Sequence, residues 1–155
     1  MPAEESLTLW HGSPRKLIGE FLLPHKAVDI TRQPENCHDG IYALEKREFA
    51  IIIGIITGKG VRLGSALDFS KDVPDGIVMG GWPNQETVYL YRLPAQTFQK
   101  VDGNQWVSHT KVKPCEIVEI KAREFMHLIR TATDEEKARF LKDLSENLKL
   151  KVMPR

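Results

Sequence analysis

The chain has little cysteine, little net charge and no long apolar run, and each shortage closes off a class of protein. Of its 155 residues only two are cysteines, Cys37 and Cys115. They stand far apart and form no Cys-x-x-Cys pair, which excludes a disulfide framework and a zinc ribbon. Cys37, His38 and Asp39 are metal-capable, but adjacent residues seldom reach one ion together and no second pair has ligand spacing, so no metal site is expected. Lys and Arg number 22 against 21 Asp and Glu. With no positive excess to displace counterions from a phosphate backbone, general nucleic-acid binding is not expected. The longest apolar stretch, Phe49 to Ile56, is far short of the ~20 residues that span a bilayer. The opening Met1-Pro2-Ala3-Glu4-Glu5-Ser6 has neither the basic nor the apolar part of a signal peptide. No membrane partner is expected, and the reading is cytoplasmic.

What remains is ordinary globular material, 41% hydrophobic and 28% charged, long enough for a single domain over 1–155 with a real core. Residues 1–6 and 151–155 are expected to be flexible. The run Leu7-Thr8-Leu9-Trp10 reads as a half-buried strand that ends in His11-Gly12-Ser13-Pro14. Gly12 lets backbone approach a ligand closely and Pro14 stops the ladder, so a binding histidine and hydroxyl fall where a strand ends. Residues 15–39 hold Pro24, Pro34 and Asn36 among mixed charges, and Gly40 follows. They read as a long connection, and loops of that length are usually functional.

Gly40-Ile41-Tyr42-Ala43 is a brief strand. The stretch from Leu44 to Ile56 joins good helix formers to five isoleucines; propensity pulls both ways, and a buried helix ending near Thr57-Gly58 is the expectation. Short β-rich runs follow at 60–63, 76–79, 87–93, 106–108 and 116–120, punctuated by Pro and Gly, which predicts a mostly antiparallel sheet. Residues 121–130 read as a short helix. Thr133 and Glu136 have capping-box spacing ahead of a final helix with Phe140, Leu141, Leu144 and Leu148 on one face. The fold class is α+β.

Strand with His11-Gly12, long loop, Gly40-Ile41-Tyr42 strand, helix, then a series of strands: this order resembles the ADP-ribosyltransferase superfamily of the His-Tyr-Glu type. Val88 to Pro94 with Phe98, then Gln105-Trp106-Val107-Ser108 and Val112-Lys113-Pro114, is similar to that family's late strand pair. The resemblance implies an ADP-ribosyltransferase-like fold, NAD as co-substrate and transfer of ADP-ribose to a macromolecular acceptor. Departure of nicotinamide passes through an oxocarbenium-like state, so such a site must fix the ribose and orient the leaving ring. The resemblance gives His11 a ribose hydroxyl, Gly12 the nicotinamide amide, Ser13 a place beside them, and Tyr42 the face of the nicotinamide ring.

The family's third, acidic motif is not evident. Gln105 stands near its place, and a glutamine can hydrogen-bond ribose but supplies no charge and takes no proton. Glu86, before the preceding strand, is the carboxylate offered by a shift of one strand. Sites of the same fold that hold phosphates through Arg and His give a second reading, in which Arg15, His25, Lys26 and Arg32 bind phosphate. A third reading is a nucleotide- or protein-binding module without turnover.

Overall fold

The computed structural model describes residues 7–26, 39–102 and 104–152. Ten strands and two helices are built from them. Six strands form the path of a large sheet in the order β7-β8-β3-β1-β6-β9, and β2 pairs with β3 beside it. These are β1 (Thr8–Ser13), β2 (His25–Lys26), β3 (Asp39–Leu44), β6 (Thr87–Pro94), β7 (Phe98–Asp102), β8 (Gln105–Ser108) and β9 (Glu116–Lys121). A small sheet has the order β10-β5-β4, from β4 (Val61–Leu67), β5 (Gly76–Gly81) and β10 (Ile129–Thr131). The pairing is antiparallel except between β10 and β5. The α+β class with mostly antiparallel sheets therefore holds.

Helix α1 (Arg47–Ile56) settles the ambiguity of the isoleucine run. Ile51, Ile52, Ile55 and Ile56 are all buried, and a helix apolar on every side belongs inside a protein. One side packs on β1 and β6, while Ile52 and Ile56 meet Gly76 at the start of β5. Burial of each such side chain contributes about 1.5–3 kcal/mol, which overrides the modest strand preference of isoleucine. The helix begins later than expected, because Leu44 still pairs with Trp10 and Gln105 in the sheet.

Glycine sets how near α1 lies to β1. A Cβ on Gly12 would stand 1.8 Å from the Ala50 carbonyl oxygen, and one on Gly54 would stand 2.3 Å from Val88 Cγ1 and 3.0 Å from the Ser13 nitrogen. Strand and helix thus touch through backbone at this crossing.

The other face of the large sheet carries a second core of Leu9, Ile41, Ala43, Tyr91, Leu93, Phe98 and Val112. Leu17 and Leu22 cover it from the segment after β1. Leu22 and Val112 exchange backbone hydrogen bonds of 2.8 and 3.0 Å, which fastens that segment across the sheet.

Residues 121–130 differ from the expected helix. Lys121 ends β9, two 3-10 turns follow at Ala122–Glu124 and Met126–Leu128, and Ile129 begins β10. The parallel partner β5 holds Ile129 extended, a long-range contact that local pattern does not reveal. The expected capping box is present at α2 (Asp134–Val152): Thr133 Oγ1 accepts the Glu136 N–H at 3.1 Å, and Glu136 Oε1 accepts the Thr133 N–H at 2.8 Å. Residues 151 and 152 are the last of α2, and 1–6 and 153–155 lie outside the described residues. Phe140 of α2 packs over Gly64 in β4 and Leu141 is exposed; the side chains of Leu144 and Leu148 lie outside what is described. Among the described residues no helix is long and apolar enough to cross a membrane.

Candidate functional site

Strand alternation decides which of the expected site residues share a surface. In β1, Leu9 belongs to the second core while Trp10 packs toward α1 and Gly12 abuts it. His11 and Ser13 therefore face the second core. In β6, Tyr91 is the register partner of His11, and the two rings lie 6.0 Å apart at a 43° tilt, as cross-strand neighbours on one face do. Ile41 of β3 completes this face.

Here the segment after β1 lifts off the sheet and leaves a cleft of about 260 Å³, lined by His11, Ser13, Ile41 and Tyr91 from the sheet, with Arg15, Lys16 and four apolar side chains from the segment. The histidine is oriented by a hydrogen bond of 2.7 Å between its Nδ1 and the Tyr42 carbonyl. A carbonyl only accepts, so Nδ1 carries the proton, and in the neutral ring Nε2 is the acceptor nitrogen. Ser13 Oγ accepts the Arg15 N–H at 3.1 Å and so turns the chain at the cleft mouth. Burial pushes the Tyr91 phenol above its ordinary pKa of 10.

His11, Ser13 and Arg15 are thus brought together. The other candidates are placed elsewhere. The open side of Gly12 is occupied by α1, so the room left by its missing side chain serves helix packing. Ile41 and Ala43 point into the second core and Leu44 into the first, which puts the Tyr42 side chain on the α1 face, away from the cleft wall. Gln105 is buried in β8, beside Leu44 and two strands from Trp10. Glu86 is exposed just before β6, and its carbonyl accepts the Ala122 N–H at 3.0 Å. Neither borders the cleft. His25 and Lys26 pair with Gly40 and Asp39 through the β2 backbone, and Arg32 lies outside the described residues, as do Cys37 and His38. Among the described residues no group of three or more His, Cys, Asp or Glu is arranged to hold a metal.

Of the polar side chains on the cleft wall, Lys16 and Tyr91 are not marked by any sequence motif, and neither are the apolar residues of the segment. Lys16 is a single charge in a mixed stretch and carries no pattern. Tyr91 is legible only by alternation: Val88 and Leu90 face α1, so Tyr89 and Tyr91 face the cleft side.

Among the described residues the arrangement offers two cations, an oriented imidazole and a hydroxyl above an apolar floor, with no Asp or Glu among those lining the wall. That chemistry suits a ligand with anionic and flat apolar parts. No protein-family model, no curated protein and no solved structure matches this chain.

Proposed function

We propose that this chain is an ADP-ribosyltransferase-like protein that takes a phosphate-bearing nucleotide, NAD by the resemblance of its His11-Gly12 and Gly40-Ile41-Tyr42 strands, into the cleft beside His11. One observation carries the reading: His11 and Ser13 at the end of β1 open into the same cleft as Arg15 and Lys16. Arg15 and Lys16 attract the phosphates, Arg with a fork of donors and Lys as a point charge. The His11 imidazole stands where it meets the ribose, and Leu17, Leu22 and Ile41 give a base an apolar floor. A cleft of about 260 Å³ holds part of a dinucleotide, and the remainder lies along the open mouth.

The adjacency of β1 and β3 and the passage of β3 into α1 support the resemblance. On this reading ADP-ribose passes to a macromolecular acceptor, and Glu86 or Gln105 joins the site only by movement toward it. A second reading, nucleotide binding or phosphate chemistry without a carboxylate, is favoured by the cations Arg15 and Lys16 on a wall that, among the described residues, carries no Asp or Glu. Incubation with NAD labelled in the nicotinamide ring distinguishes them. Release of free nicotinamide, lost in His11→Ala, supports transfer; saturable binding without release supports the second reading; no binding of NAD, ADP-ribose or ADP at millimolar concentration refutes both.

A further inference from the structure

Tyr91 makes contacts that the proposed ligand chemistry does not use. Its side chain is fully buried, yet its hydroxyl reaches the chain just beyond β1. There it accepts the Leu17 N–H at 2.6 Å and donates to the Arg15 carbonyl at 3.0 Å. One phenol thus satisfies a donor and an acceptor on two backbone units that flank Lys16. The next anchor along the chain is the backbone bridge from Leu22 to Val112. Between the anchors the chain turns at Gly19, with φ of +95°, and leaves Ile18 96% exposed. At its near end the stretch that carries both cations is held by the Ser13 hydroxyl and by Gln85 Nε2, which donates to the Pro14 carbonyl at 2.9 Å, while Tyr91 alone bonds the backbone on both sides of Lys16 among the described residues.

We propose that Tyr91 is a positioning residue of the cleft: its hydroxyl fixes the backbone of residues 15–17 so that Arg15 and Lys16 stand at the mouth, ready for the phosphates of the bound nucleotide. The inference rests on the nucleotide reading given above. Arg and Lys lose rotamer freedom when they hold an anion, and a free backbone beneath them adds to that loss. A latched backbone keeps the binding-competent arrangement populated, and apparent affinity scales with that population. The phenol is suited to this because its ring is packed in the second core beside Leu9, Ile41 and Leu93, so the hydroxyl is presented from a rigid base.

The test compares the wild-type protein with Tyr91→Phe, Arg15→Ala and the double variant, using NAD and ADP as probes in titration calorimetry, together with amide hydrogen exchange at Leu17. Phenylalanine keeps the ring and its packing and deletes only the latch. The expected results are affinity weaker by about tenfold, the scale of two hydrogen bonds of ordinary net strength, and faster exchange at Leu17. In the Tyr91→Phe background Arg15→Ala should cost clearly less affinity than it does alone, because the two residues act as one unit. A purely structural tyrosine lowers the melting temperature and leaves the affinity of the folded protein unchanged; that result, or strict additivity of the double variant, overturns the proposal. Wild-type protein that binds neither probe overturns the nucleotide reading first and this inference with it, and is recognised before any substitution is made.

Discussion

His11 meets Tyr42 through the backbone: the imidazole Nδ1 donates to the Tyr42 carbonyl at 2.7 Å, while the tyrosine side chain stands on the opposite face of the sheet. Tyr42 thereby orients the histidine without placing its ring on the cleft wall. Tyr42→Phe, which keeps the carbonyl, should leave NAD or ADP affinity within about twofold, whereas His11→Ala should lose about tenfold or more, the scale of a hydrogen bond to a ligand hydroxyl together with its packing. Calorimetric titration of both variants checks the difference. A tenfold loss in Tyr42→Phe would bring the Tyr42 hydroxyl to the ligand, and a like loss confined to Tyr42→Leu would bring the ring.

Gly12→Ala brings a methyl group to 1.8 Å from the Ala50 carbonyl oxygen, with backbone on both sides and no flexible side chain to yield. The strand and α1 must separate. We expect a loss of about 3 kcal/mol in unfolding free energy, at the upper end of ordinary overpacking, measured by urea denaturation. A loss below about 1 kcal/mol would show that α1 sits farther from β1.

The α2 capping box depends on the Thr133 hydroxyl. Thr133→Ala should cost about 1 kcal/mol, and Thr133→Ser should restore most of it. The same denaturation experiment reads both.

Acid should destabilise the join between the small sheet and α2. Arg130 donates to Asp75 and to Glu136 at 2.7–3.2 Å. Its guanidinium holds the Glu136 carboxyl down at about 2 and the Asp75 carboxyl below its usual range. A depressed folded-state pKa gives stability that is present above the unfolded value, about 4 for these groups, and lost as pH falls toward the folded one. Thermal unfolding followed between pH 5 and pH 2 should show this decline, and Glu136→Gln should flatten part of it. Because the groups are partly exposed, 1 M salt should weaken the effect. A slope identical in Glu136→Gln would remove Arg130 from the account.

The parts legible in the sequence are those set by local chemistry. The Thr133–Glu136 box needs only its four-residue spacing, and β1 and β6 announce themselves by alternation. The isoleucine run is ambiguous by propensity, and its helix is settled by burial against β1, β6 and β5. Other features depend on partners distant in the chain. Residues 129–131 become a strand because β5 lies alongside them, and residues 25 and 26 because β3 does. The site divides in the same way. The grouping of His11, Ser13 and Arg15 follows from one strand end, whereas the face on which Tyr42 stands is fixed by its neighbours Ile41 and Ala43 entering the second core. Gly12 reads equally well as a ligand contact or a helix contact until the position of α1 is known.

The parallel pairing of β10 with β5 also bears on the order of assembly. Ile129 lies opposite Gly76, about fifty residues earlier in the chain, and closes over Ile52 and Ile56 of α1. Contacts of such long span form late. A nascent polypeptide that stops short of residue 129 leaves that isoleucine surface bare to water, so premature termination there should yield sticky, aggregation-prone fragments instead of a smaller working domain.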